Sequence, residues 1–156
     1  HPVPGFKYNM MDIQAAIGRV QLRKLDRFSE ARKRNWRYLR EALDDLGRDW
    51  RFMETTPGGD PAWFGFFLLM RRPDHDKLTA LCRRLDAARV GHRRLFAGNL
   101  IRQPAYRNVR YRVAGELAVT DAILHGGLFL GVYPGLTCEM LRYAARAFRD
   151  AWRAVR

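Results

Sequence analysis

The longest unbroken apolar run in the chain, Trp63 to Met70, is short and has Gly65 inside it. A membrane-crossing helix needs about 20 apolar residues, so the run is no transmembrane span. Its length and aromatic content suit a strand, and the wider segment Ala62 to Met70 is apolar on both faces. Pro73-Asp74 then punctuates the chain. Asp76 to Ala88 follows as the clearest helix, with Leu78, Leu81, Cys82, Leu85 and Ala88 on one stripe. Val90 to Ala97 reads as a second strand. This strand–helix–strand unit sits in a chain of 156 residues, about one domain in size. A hydrophobic content of 47% supplies one core, and 12% aromatic residues set the chain apart from disordered sequences.

On the N-terminal side, His1 to Met11 is punctuated by Pro and Gly. Asp12 stands where the N-cap of a helix to about Leu25 would fall, with Ile13, Ala16, Ile17 and Val20 on one apolar face. A second helix spans about Arg27 to Leu46. Phe28, Ala31, Leu39, Ala42, Leu43 and Leu46 keep its period, and Gly47 marks its stop. Thr56 to Pro61 is a loop by its turn residues. Beyond the second strand, Gly98 to Tyr111 is a long, polar, Arg-rich loop. A short helix over Glu116 to Leu124 leads to a strand around Leu128 to Val132. Thr137 caps a last helix that turns Leu141, Ala144, Ala145, Phe148 and Trp152 inward. The order predicts an α+β fold: a small antiparallel or mixed sheet of about three strands, with helices packed on one side and no second domain.

The charge is +13, and all but four of the 29 cations are arginine. Arginine pairs bidentately with phosphate and carboxylate, so the balance suits nucleic acid, a phosphorylated small molecule or an acidic surface. A GC-rich genome produces the same bias with no function attached. A nucleic-acid module is disfavoured because the arginines are scattered over every element. Two cysteines, Cys82 and Cys138, form no disulfide framework and fit a reducing, cytoplasmic setting. There is no signal-peptide pattern, and the first residue is not Met, which points to a piece of something longer. Neither a Gly-rich phosphate loop nor a metal spacing among His1, His75, His92 and His125 is present. Cys82 lies on the apolar stripe as a core thiol, and Cys138 stands at a helix start. What stands out is the segment Arg93 to Tyr106. In a strand Arg93 and Arg94 point to opposite faces. Arginine, amide and tyrosine groups at a strand-to-loop exit suit a polyoxygenated or phosphorylated ligand, or else a solvated loop.

Pro4-Gly5-Phe6-Lys7-Tyr8-Asn9-Met10-Met11-Asp12-Ile13-Gln14, continuing through Gly18 to Leu25, resembles the opening of the C-terminal part of the DegT/StrS family. Arg32-Lys33-Arg34-Asn35 fits the basic segment of the helix that follows. Leu95 to Tyr106, with Gly131-Val132-Tyr133-Pro134-Gly135-Leu136-Thr137, resembles the 3-dehydratase branch of that family. These are pyridoxal- or pyridoxamine-phosphate (PLP or PMP) enzymes of nucleotide-linked keto sugars. The branch removes the 3-hydroxyl of an NDP-4-keto-6-deoxyhexose in deoxysugar and lipopolysaccharide biosynthesis, a lyase reaction.

The resemblance implies the small C-terminal domain of a fold-type I enzyme over residues 1–156, with interface and linker helices at 11–46. The cofactor domain would lie upstream of this chain. It would hold the residue facing the cofactor's C4′, the acid on the pyridine nitrogen and the cysteines of any iron–sulfur cluster. The resemblance implies that Asn9 reaches the cofactor phosphate across a homodimer interface. Phe96 falls where the aminotransferases place a His. Arg93, Asn99, Arg102 and Gln103 match the branch's loop near the sugar nucleotide. No catalytic residue, no metal ligand, no nucleic acid and no membrane is expected for this chain. A sugar aminotransferase of the same family is the alternative, because the Lys-Tyr-Asn opening is common to both.

Overall fold

Burial alternates along strand β2 (Gly65–Met70): Phe66, Leu68 and Met70 are buried, while Gly65, Phe67 and Leu69 are half-covered. Period-2 alternation of this kind gives the sheet one core face and one open face. The computed structural model describes residues 10–156, so Asn9 and the Pro4–Tyr8 segment lie outside the described residues. Strand β1 (Trp50–Phe52) precedes β2, and β3 (His92–Arg94) and β4 (Gly127–Gly131) follow. The order across the sheet is β1-β2-β4-β3, and every pairing is antiparallel. The last strand in the chain therefore lies between the two that bracket the helical stripe.

The α+β expectation holds, with four strands in place of about three. β1 escapes sequence reading because it is three residues long and carries Arg51 in the middle. Its partner gives it away instead: Trp50 pairs with Met70 and Phe52 with Leu68. The expected strand from Val90 to Ala97 is also shorter, ending at Arg94.

Helices α1 (Asp12–Leu22), α2 (Leu25–Ala42), α3 (His75–Ala87), α4 (Ala118–Gly126) and α5 (Cys138–Arg153) complete the chain. The cap of α5 falls on Thr137 as expected, and α3 begins one residue earlier than expected, capped by Asp74. The Asp74 carboxylate accepts from the Asp76 and Lys77 amides, both at 3.0 Å, and Thr137 Oγ1 accepts from the Met140 amide at 3.2 Å. Each such cap is worth about 1 kcal/mol. α1 starts after Met11, not at an Asp12 cap; the Met11 amide donates to Gln14 Oε1 at 3.1 Å. α2 ends at Ala42, and a 3₁₀ turn at Asp44–Leu46 carries the chain to Gly47.

α2, α3 and α5 cover the core face. Trp50 is fully buried there, with its ring edge-on to Phe148 at 5.3 Å and Trp152 at 5.0 Å. Trp152 Nε1 donates to the Asp49 carboxylate at 2.7 Å. The helices are not confined to one side, however. α4 lies against one end of the open face: a side chain at Gly127 would meet both Ile123 of α4 and the Phe67 ring. The expected apolar face of α1 forms, but no residue of that helix is buried, and Ile13 is 72% exposed.

Candidate functional site

β3 delivers Arg93 to the open face in register with Phe129 of β4, and turns Arg94 the other way. Arg94 is committed to structure: its guanidinium donates to Thr79 Oγ1 at 2.9 Å and to the Leu124 carbonyl at 3.5 Å. Arg93 is exposed. Immediately after the strand the Gly98 amide donates to the Leu95 carbonyl at 3.0 Å and closes a tight turn. Phe96 therefore does not end a strand; it sits inside this turn with φ of +48° and is 79% exposed.

A left-handed conformation costs a non-glycine residue about 1–2 kcal/mol, and an exposed ring recovers little of that by packing. Phe96→Gly is expected to raise the unfolding free energy by up to about 1 kcal/mol, net of glycine's greater freedom when unfolded. Phe96→His should leave it within about 0.5 kcal/mol of the parent. Chemical denaturation of the three proteins checks both.

Asn99, Arg102 and Gln103 are brought together beyond the turn, where two 3₁₀ turns (Leu100–Arg102 and Pro104–Tyr106) occupy the expected loop. Asn99 is 2% exposed. Its Nδ2 donates to Asp121 Oδ1 at 2.7 Å, and its Oδ1 accepts from the Ile101 amide at 3.2 Å. Arg102 meets the same carboxylate with two donors, Nε at 3.2 Å and an Nη at 3.0 Å. Gln103 Nε2 donates to the Ala97 carbonyl at 2.7 Å. Three residues expected to face a ligand thus spend polar groups on the loop itself, with Asp121 of α4 as the hub. Arg93 and Phe96 remain turned outward.

Sequence reasoning missed Asp121, a lone acid on a short helix. Its partners lie 22 and 19 positions upstream, too far for any local spacing to reveal them. The Arg102 guanidinium, and after it the Asn99 amide, hold the Asp121 carboxyl below its usual range. Because the folded value is lowered, the stabilisation is complete above the ordinary carboxylate range near pH 4. It is lost as pH falls through that lowered value. The protection factor of the Ile101 amide, its exchange rate relative to the intrinsic rate at each pH, should fall on acidification through this window, and Asp121→Asn should show the lowered protection already at pH 7. An exchange rate that Asp121→Asn leaves unchanged would show that the loop is held by other contacts.

Two more residues organise the neighbourhood. Asn35, fully buried in α2, donates from Nδ2 to the carbonyls of Tyr133 at 2.9 Å and Val132 at 3.3 Å. It ties the Arg32–Asn35 segment to the Gly131–Thr137 segment. Cys82 is half-buried beside His92, whose imidazole it raises above the ordinary value, with the His92 ring Nδ1 3.2 Å from the Val90 carbonyl. Cys138 is exposed at the first position of α5. Among the described residues no cluster of three or more metal-ligating side chains occurs, and no helix is long and apolar enough to cross a membrane.

The four-stranded antiparallel sheet packed with helices gives the chain an α+β fold like that of the fold-type I aminotransferases and dehydratases. The chain belongs to the DegT/DnrJ/EryC1/StrS aminotransferase family, whose profile matches residues 1–149. It is 42% identical over 146 residues to the lipopolysaccharide biosynthesis protein RfbH of Salmonella typhimurium, covering 94% of this chain and 33% of that protein. It is 38% identical to the dTDP-4-dehydro-2,6-dideoxy-D-glucose 3-dehydratase of Saccharopolyspora spinosa, covering 94% of this chain and 31% of that protein. The chain thus spans about one third of the length of these relatives. A solved DegT/DnrJ/EryC1/StrS aminotransferase from Brucella abortus superposes with a TM-score of 0.73 at 25% identity, over 94% of this chain and 39% of that one. An E. coli GDP-4-keto-6-deoxy-D-mannose-3-dehydratase with bound hydrated PLP shares the fold with a TM-score of 0.81 at 23% identity, over 94% and 37% of the two chains.

Proposed function

We propose that the chain is the C-terminal portion of a PMP- or PLP-dependent NDP-4-keto-6-deoxyhexose 3-dehydratase acting in deoxysugar or lipopolysaccharide biosynthesis. The observation that carries this reading is the 38% identity to a 3-dehydratase across 94% of the chain. The exposed ring of Phe96 supports it against the aminotransferase alternative. An apolar ring neither donates nor accepts a proton, whereas an imidazole does both.

In this reading the chain supplies a wall of the site. Arg93 meets the diphosphate, Phe96 faces the sugar and excludes water, and the loop knotted on Asp121 holds that edge in place. Taken alone, the described residues do not make a cofactor site. Lys24 and Lys33 lie at the start and middle of α2, Lys77 lies in the first turn of α3, and Lys33 is paired with Asp60 at 2.5 Å and Glu30 at 3.0 Å. Among the described residues, therefore, no lysine is available on the open sheet face. The cofactor, and any iron–sulfur cluster, would be held by an upstream portion, with Asn9 reaching the cofactor phosphate of a second copy. The uncovered Ile13 and Ile17 of α1 support a linker and interface role for the first helices.

General acid–base work needs a proton-transferring group within hydrogen-bond reach of the reacting carbon, and in this reading the upstream portion supplies it. The chain alone, supplied with pyridoxamine phosphate and an NDP-4-keto-6-deoxyhexose, is expected to release no 3-deoxy sugar. Turnover by the purified chain would overturn the assignment of the chemistry to an upstream portion.

A further inference from the structure

Besides Phe67, which α4 covers, the open sheet face carries three aromatic rings that the core does not use. Phe129 lies at its centre. The Phe64 ring stands edge-on to it at 5.6 Å, and the Phe96 ring is tilted against it at 6.5 Å. Phe64 precedes β2 and is 70% exposed, while Phe96 follows β3 and is 79% exposed, so the two flank Phe129 from different strands. Arg93 stands beside Phe129 in register on the same face.

Three independent local features hold this arrangement. Gly65 leaves room for the Phe129 ring to lie over β2: a Cβ there would fall 2.6 Å from Phe129 Cδ2. Arg32 donates to the carbonyls of Trp63 at 3.1 Å and Phe64 at 3.2 Å and so pins the backbone that presents Phe64. Phe96 is kept in a left-handed turn that its own packing does not repay.

We propose that Phe64, with Phe129 beneath it, is a stacking platform for the base of a nucleotide-linked sugar whose diphosphate meets Arg93. The inference rests on the reading of the chain as part of a nucleotide-sugar enzyme and extends it to the nucleoside end. The order Phe96, Arg93, Phe64 along the face matches the order sugar, diphosphate, base along the ligand. A guanidinium complements a diphosphate, and an exposed ring face accepts a base without hydrogen-bond readout. Stacking of this kind tolerates any base, so the platform sets affinity for nucleotides as a class and leaves the choice of base to other groups.

The test is saturation-transfer NMR on the 156-residue chain with CDP, GDP and inorganic pyrophosphate as probes. The base protons of CDP and GDP are expected to receive saturation to a similar extent, and pyrophosphate to compete. Phe64→Ala and Phe64→Leu should each weaken CDP binding about fivefold or more, the factor at the lower end of what a stacked base is worth. Arg93→Ala should weaken CDP and pyrophosphate alike. Phe64 is exposed, so its variants should melt with the parent, and a thermal scan checks this. Absence of saturation at the base protons at millimolar CDP, or a Phe64→Leu variant that binds CDP as the parent does, overturns the platform. The second of these results would leave the dehydratase reading standing, whereas that reading falls on the identity of the reaction product and not on nucleotide affinity.

Discussion

Phe148→Ala is expected to lower the unfolding free energy by about 3–5 kcal/mol. Phe148 is fully buried on α5 and meets the Trp50 ring edge-on at 5.3 Å. Trp50 in turn meets Trp152 at 5.0 Å and pairs with Met70 at the β1 edge of the sheet. Removing the ring leaves a cavity where a helix, an edge strand and the chain's last turn converge, and none of the three can close it alone. A domain of this size is stable by only about 5–15 kcal/mol, so the variant should lose a large share of its stability. Urea denaturation read by tryptophan fluorescence checks the value, and a loss below about 1 kcal/mol would mean that α5 does not organise the core.

Gly98→Ala should cost about 3 kcal/mol, nearly as much, for a residue outside any strand or helix. Two penalties coincide there. The backbone holds φ of +61°, which costs an L-residue about 1–2 kcal/mol. A Cβ would also lie 2.8 Å from the Cα, Cβ and Cδ1 of Leu124, so α4 itself must shift, and overpacking of that kind costs about 1–3 kcal/mol. The damage should be local. Exchange protection at Ile101 should fall together with stability, because α4 also carries Asp121. An alanine variant as stable as the parent would show that the turn after β3 can relax away from α4.

These two positions also mark what the residues alone reveal. Phe148 is legible because α5 repeats its apolar residues at helical spacing after a threonine cap, and α3 is legible for the same reason after Asp74. The β2–α3–β3 core follows from such periodic signals. β1 is not legible, since one buried and one half-buried residue around Arg51 make no pattern until β2 is in place to pair with them. The turn at Leu95–Gly98 is hidden because Phe96 is no turn former, and only Gly98 signals that a strand cannot continue. The split of Arg93 and Arg94 to opposite faces was readable; which of them takes the open face, and the exposure of Phe96, were not. Nor was the engagement of Asn99, Arg102 and Gln103 with the loop's own groups, because it depends on Asp121 and on the Ala97 carbonyl, which the fold alone brings near. Phe64 and Phe129 escaped as well. In a strand-forming run a phenylalanine signals core, and only the open face separates these two from Phe66.

The measurement that most directly tests the role given to this chain is a segment exchange with product analysis. Residues 1–156 would replace the matching portion of the Saccharopolyspora spinosa 3-dehydratase, to which 94% of the chain aligns. The chimera's product from dTDP-4-dehydro-2,6-dideoxy-D-glucose would then be identified by mass spectrometry. The expected result is a cooperatively folded chimera that forms the 3-deoxygenated sugar within about tenfold of the parent rate, a barrier change of roughly 1.4 kcal/mol. A chimera that melts cooperatively yet forms no 3-deoxygenated sugar, or that forms an amino sugar in its place, would contradict it.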